Sequence, residues 1–137
     1  MDAEIFLDAA YLIALGQPGD QHHAKALALA ETIRAQHTRV VTNRAVLLEV
    51  GSALSKLKFR LVAIQLLESI ERAPSVEVVP LSEELVQAGW DMFRRRSDKE
   101  WSWADCISFV VMQERGIRQA LTTDEHFQQA GFTALLR

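Results

Sequence analysis

The chain has 137 residues, 49% of them hydrophobic and 24% charged, with a formal net charge of −3. That composition excludes disorder, no run approaches the ~20 apolar residues of a membrane span, and the N-terminus lacks the basic flank and apolar stretch of a signal peptide. One domain over residues 1–137, in the cytoplasm and without a membrane partner, is therefore expected, and the acidic balance excludes nucleic-acid binding by bulk charge alone.

Glu4-Ile5-Phe6-Leu7 reads as a short apolar strand ending at Asp8, followed by a helix over Ala9 to Leu15 that Gly16-Gln17-Pro18-Gly19 breaks. From Asp20 to about His37, Ala24, Leu27, Ala28 and Ile33 fit a helical period. Arg39-Val40-Val41-Thr42 is a second strand, and Asn43 is placed to cap a third helix whose stripe of Val46, Val50, Ala53, Leu54 and Leu57 is expected to face the core. Glu49 lies at the edge of that stripe. A further helix from about Leu61 to Arg72 stops ahead of Pro74. Val76-Glu77-Val78-Val79 is the third strand, and Ser82 with Glu83 and Glu84 opens a helix carrying Leu85, Val86, Trp90 and Phe93. After the polar Asp98-Lys99-Glu100, a helix over Trp101 to Arg115 ends at Gly116. Gln119-Ala120-Leu121-Thr122 is the fourth strand, Thr123 to Phe127 opens a short helix, and Phe132 to Leu136 is an edge strand.

Strands alternating with helices predict a three-layer α/β/α domain with a central parallel sheet of four to five strands. Functional groups of such sheets gather beyond the carboxyl ends of the strands. Four acids fall there. Asp8 follows strand one, Asp124 follows strand four, and Glu49 and Asp105 lie in the first two turns of helices that start at the same rim. Each has a structural alternative: Asp8 and Asp124 as helix caps, Glu49 as an exposed helix edge, and Asp105 in a Ser102-x-x-Asp105 capping box. Asp105 interrupts an otherwise apolar run, so its carboxylate has to be capped, paired, neutralised or bound to a cation. The lone Cys106 reads as a small packed side chain. Arg94-Arg95-Arg96 and the group Lys56, Lys58 and Arg60 are local basic clusters that suit either a nucleic-acid phosphate or a solvated helix end.

The segments Phe6-Leu7-Asp8-Ala9, Leu47-Leu48-Glu49-Val50, Trp101-Ser102-Trp103-Ala104-Asp105-Cys106-Ile107-Ser108-Phe109 and Leu121-Thr122-Thr123-Asp124-Glu125-His126-Phe127 resemble the four acidic motifs of PIN-domain ribonucleases. They are most similar to the VapC-like toxins of toxin–antitoxin pairs, and the likeness runs through the whole chain in order. The resemblance implies an endoribonuclease in which Asp8, Glu49, Asp105 and Asp124 are catalytic and hold Mg²⁺ or Mn²⁺, hard cations that take carboxylate and water oxygens. A cation of that kind activates water for in-line attack on a phosphodiester. The same resemblance implies Ser102 and Thr123 as supporting polar groups, a cognate antitoxin that covers the site, and a homodimer. Asp98 and Glu100 are either outer carboxylates or part of a solvated loop, and His22, His23, His37 and His126 are expected not to be ligands. Two rivals remain: a catalytically inactive PIN scaffold that only binds, and a phosphoacceptor signalling domain. The second needs a lysine near a late strand, and none follows Lys99.

Overall fold

The computed structural model describes residues 1–137. Its elements run β1 (Glu4–Leu7), α1 (Ala9–Gly16), α2 (His23–Gln36), β2 (Arg39–Asn43), α3 (Arg44–Ala53), α4 (Leu57–Arg72), β3 (Val76–Val79), α5 (Glu83–Arg95), α6 (Trp103–Arg115), β4 (Gln119–Leu121), α7 (Glu125–Gln129) and β5 (Thr133–Ala134). The five strands form one sheet in the order β3-β2-β1-β4-β5, and every pairing is parallel.

Parallel strands need helical crossovers, and the crossovers cover both faces of the sheet. Strand β1 shows the result: Ile5, Phe6 and Leu7 are all buried although neighbours in a strand point to opposite faces. The winding runs outward from β1 through β2 to β3 and then returns to place β4 on the other side of β1. The switch point therefore lies between the carboxyl ends of β1 and β4, where Asp8 and Thr122 leave the sheet. Asp8 N–H donates to the Leu121 carbonyl (3.2 Å) and Thr122 N–H to the Ala120 carbonyl (3.1 Å), so both exits are tied to β4. Below them Phe6, Phe109 and Phe127 make edge and tilted contacts at centroid separations of 6.2 and 5.0 Å.

The structure assigns the buried face of α2 and corrects two local expectations. In α2 the inward face is Ala26, with Leu29, Ala30 and Ile33 packed against the core, while Ala24, Leu27 and Ala28 are exposed. With an alanine-rich stretch, period alone does not tell which stripe meets the sheet. Helix α3 ends at Ala53, with Leu54 as its C-cap, and α4 begins at Leu57 rather than Leu61. Leu57 thus opens a new helix and is 92% exposed, and Ala53 is exposed too, so neither belongs to the core stripe.

Helices α5 and α6 cross closely at Gly89. A Cβ there would lie 2.5 Å from Ile107 Cγ1 and 3.1 Å from the Ile107 backbone nitrogen, and backbone cannot yield as a side-chain tip can. Gly51 in α3 would meet only Leu67 Cδ1 at 3.9 Å, an ordinary contact. Gly89→Ala should lower unfolding free energy by about 1–3 kcal/mol through overpacking, while Gly51→Ala should raise it by about 0.5–1 kcal/mol by restricting the unfolded chain and favouring the helix. Urea unfolding of the two variants checks both signs.

Candidate active site

Each of the four acids reaches the switch point from a different element. Asp8 occupies the N-cap position of α1 yet makes no side-chain cap hydrogen bond. Its Oδ2 instead accepts from Thr122 Oγ1 at 2.7 Å. Burial is the main influence on Asp8 and raises its pKa from 3.8 to about 7. The Thr122 and Ala9 hydrogen bonds oppose that rise, and the charges of Glu49 and Asp105 add to it. Glu49, on the second turn of α3, is exposed at the residue level and has a raised pKa, caused first by local burial and then by the charges of Asp105 and Asp124.

Asp105 stands in the first turn of α6 and realises the capping box. Ser102 Oγ accepts from Asp105 N–H at 2.9 Å, and Asp105 Oδ2 accepts from Ser102 N–H at 3.1 Å. Asp124 caps α7, where its Oδ1 accepts from His126 N–H at 2.8 Å. The structural alternatives for Glu49, Asp105 and Asp124 are therefore present, and the same side chains still converge. Asp8, Glu49, Asp105 and Ser108 line one small cleft together with Ala45 and Val46. Ligand atoms of Asp105, Asp124 and His126 lie within 4.8 Å of one another.

His126 belongs to this cluster although it was not expected among the ligands. Its Nδ1 lies 3.0 Å from Asp105 Oδ2 and 3.4 Å from Asp124 Oδ1. Burial works against its charge, but the Asp105 hydrogen bond and the charges of Asp124, Asp105 and Glu125 outweigh it and raise the pKa. His126 is the only cationic side chain that pairs with any of the four acids. His23 sits elsewhere, with Nδ1 2.7 Å from the Ala14 carbonyl oxygen.

Thr122 is the functional residue that the sequence did not disclose. It is fully buried, its hydroxyl donates to Asp8, and the same oxygen accepts from Asp124 N–H at 3.0 Å. One side chain thus fixes two of the acids. The signal was available only as the position of Thr122 at the end of a strand, and its meaning depended on β4 pairing with β1. Thr123, the expected supporting group, is partly exposed, and its carbonyl accepts from Arg137. Asn43 and Ser108 form a buried pair at 3.1 Å, with Asn43 Oδ1 capping α3 by accepting from Val46 N–H at 3.0 Å.

Asp98 turns away from the cluster and is held by Arg96 at 3.0 and 3.1 Å, and Glu100 is exposed, so these two form a solvated loop. Of the basic clusters, Arg94 lies 3.7 Å from Asp91, and Arg60 donates to the Ser55 carbonyl at 2.9 and 2.6 Å. Cys106 is fully buried, and burial, then the Asp105 charge, pushes its thiol up to about 11, which keeps it protonated and inert.

The model of the PIN domain matches residues 5–133. The 23S rRNA-specific endonuclease VapC20 of Mycobacterium tuberculosis is 30% identical over 128 residues, spanning 93% of this chain and 95% of that protein. The crystal structure of M. tuberculosis VapC20, described as a sarcin-ricin loop cleaving toxin, superposes with a TM-score of 0.81 at 29% identity, covering 94% of this chain and 96% of that one. The structure of FitAcB from Neisseria gonorrhoeae, 18% identical, shares the fold with a TM-score of 0.67 over 95% and 94% of the two chains. A family model spanning the sheet from β1 to β5, and a relative aligned over nearly its full length, place this chain in the PIN-domain family.

Proposed function

We propose that the chain is a divalent-metal-dependent endoribonuclease, the toxin of a toxin–antitoxin pair, acting through Asp8, Glu49, Asp105 and Asp124 in one domain over residues 1–137. One observation carries this: Asp8, Glu49 and Asp105 line one cleft, Asp124 joins Asp105 at the His126 imidazole, and no lysine or arginine pairs with any of the four. Four like charges gathered around one imidazole weaken a fold unless a further cation is the intended partner. The likeness to a 23S rRNA-specific endonuclease supports RNA as the substrate class.

The donors fit such a cation. All four are hard carboxylate oxygens, the preference of Mg²⁺ and Mn²⁺. The hydrogen bonds that position Asp105 and Asp124 use Oδ2 of the first and Oδ1 of the second, leaving one oxygen of each unengaged. Glu49 accepts no hydrogen bond and keeps both. When bound, the cation lowers the pKa of water and neutralises charge at the scissile phosphate. The chain contributes positioning: Thr122 locks Asp8 and the Asp124 backbone, the Ser102 cap locks Asp105, and the His126 imidazole draws Asp105 and Asp124 together. A cognate antitoxin, a homodimer and a cytoplasmic setting belong to the same proposal. Leu48, Leu57, Leu61 and Ile64, 60%, 92%, 66% and 44% exposed, offer apolar surface for such a partner. No helix is long and apolar enough to cross a membrane.

The test is incubation of the purified protein with total RNA and Mg²⁺ or Mn²⁺, followed by mapping of new 5′ ends. Asp8→Asn, Glu49→Gln, Asp105→Asn and Asp124→Asn should each lose most cleavage with unchanged circular dichroism, and excess EDTA should abolish it. Full activity in EDTA would end the metal proposal, and full activity of all four variants would remove the acids from the site.

Thr122→Val keeps shape and loses the hydroxyl. Removing groups that orient metal ligands costs on the order of 10–100-fold in affinity or activity, so the variant should need a higher Mn²⁺ concentration for half-maximal cleavage by about that factor. An unchanged Mn²⁺ titration would reduce Thr122 to a packing residue.

Asp8 also sets a pH dependence in the metal-free protein. Between about pH 4 and pH 7 the unfolded chain has released the Asp8 proton while the native chain retains it. The native state then binds more protons, so stability falls as pH rises through that window. Urea unfolding in EDTA should show the decline, and Asp8→Asn, which mimics the protonated acid, should flatten it. A wild-type profile as flat as that of the variant would contradict the burial of an uncompensated carboxyl at the switch point.

A further inference from the structure

Helix α5 carries two apolar stripes. Leu85, Gly89 and Met92 are buried, and packing against the core accounts for them. Val86, Trp90 and Phe93 lie one residue further round, with Trp90 37% and Phe93 39% exposed. Trp103, from the first turn of α6, leans on this second stripe and is itself 41% exposed. Trp90 and Phe93 stack at 5.6 Å and 28°, and Trp90 meets Trp103 at 5.1 Å and 57°. The indole N–H of Trp103 donates to the Val86 carbonyl at 3.0 Å, which satisfies its one polar group and fixes the ring on α5. Packing of α5 on α6 buries more than half of each ring, and the faces left over form an exposed aromatic patch.

Their place gives these faces a use. Trp103 stands two residues before Asp105, about 3 Å along the α6 axis and roughly 200° around it, so the same first turn sends a carboxylate into the cleft and an indole the other way, onto α5. A strand that crosses this helix start meets negative charge on one side, which repels its phosphates, and aromatic faces on the other, which attract its bases. Arg94 follows Phe93 on α5 and is 71% exposed, 3.7 Å from Asp91. Building on the RNA-cleaving function proposed above, we propose that Trp90, Phe93 and Trp103 form a stacking platform for an unpaired nucleobase of the bound strand, across the first turn of α6 from the acids. A paired base cannot present its face, so the platform selects single-stranded or looped RNA over duplex. A second copy of the chain fits the patch less well. At these exposures three rings offer about 200–300 Å², against the ~800 Å² per partner of a stable interface.

Binding is measured by fluorescence anisotropy with Mn²⁺ in an Asp8→Asn background, which prevents cleavage. Three probes are compared: a short single-stranded RNA of mixed sequence, an abasic ribose-phosphate strand of the same length, and the same RNA annealed to its complement. Trp90→Leu should weaken binding of the single strand roughly ten- to a hundredfold, as loss of one stacked base does, and should change the other two probes by less than about twofold. Trp90→Phe should restore most of the affinity, because it returns a ring face. Trp103→Leu, checked for folding by circular dichroism, should repeat the loss. Equal losses on all three probes would overturn the platform in favour of a charge or folding effect. Unchanged single-strand binding together with conversion of a dimer to a monomer in sedimentation would assign the patch to a second copy. If the unsubstituted protein cuts total RNA while Trp90→Leu binds normally, the platform fails and the nuclease stands. If the unsubstituted protein cuts nothing in Mn²⁺, the nuclease proposal fails, and base-dependent binding alone then decides whether the platform survives.

Discussion

Holding four carboxylates close together with only the His126 imidazole to pair with them is the constraint on which this structure turns. Isolated carboxylates resist both burial and mutual approach, and each of these four is managed locally. Asp8 takes up a proton, with its pKa raised to about 7, and accepts the Thr122 hydroxyl. Asp105 and Asp124 are held by backbone N–H groups at helix N-termini, where the dipole favours negative charge. Glu49 keeps its exposure. None of these devices removes the repulsion; each limits it until a cation arrives. Closing β4 against β1 is what brings the first and last acids together, so the site requires almost the whole chain to be folded.

Capping and clustering are often treated as competing explanations for an acid near a helix start. Here they are one arrangement. The capping box fixes Asp105 by its Oδ2, and a side chain so fixed presents its other oxygen in a constant direction. Replacing that acid in the metal-free protein removes a favourable cap interaction, worth a few tenths to about 1 kcal/mol, and the contact with His126, and it relieves the repulsion of Asp8 and Glu49. The net sign of a stability change at Asp105 therefore does not assign its role. The difference between metal-free and metal-loaded protein does, because the cap is common to both states and cancels.

Much of this was legible in the chain itself. Strand β1, the breaks after α1 and α6, and the parallel α/β class followed from short apolar runs alternating with helical patterns, and the four acids fell at strand ends or early helix turns by position alone. What was not legible depended on contacts between distant residues. Thr122 meets Asp8 across a separation of 114 positions, and nothing in Leu-Thr-Thr-Asp says which hydroxyl turns inward. His126 gained its place only when α7 folded back towards the start of α6. In α2 the helix was recognisable but its buried face was not, because alanine suits either side, and at Leu57 the break between α3 and α4 was missed because no glycine or proline marks it.

The distribution of positive charge bears on how an acidic chain meets RNA. Arg34, Arg39, Arg44, Arg72, Arg94, Arg96, Arg115 and Arg118 are each committed to a carboxylate at the surface, and Arg96 also lies 4.9 Å over the Trp101 ring. Exposed pairs of this kind contribute little to stability, but they cancel the far field of their cations. Long-range steering of a polyanion is then weak, and the approach to the cleft depends on contacts made at short range. Hard donors for a cation and ring faces for a base are both short-range devices, and the first turn of α6 carries one of each, in Asp105 and Trp103. A helix start that tolerates negative charge and ends on a rigid capping box is suited to present both, since the box that orients the carboxylate also fixes the turn from which the indole projects.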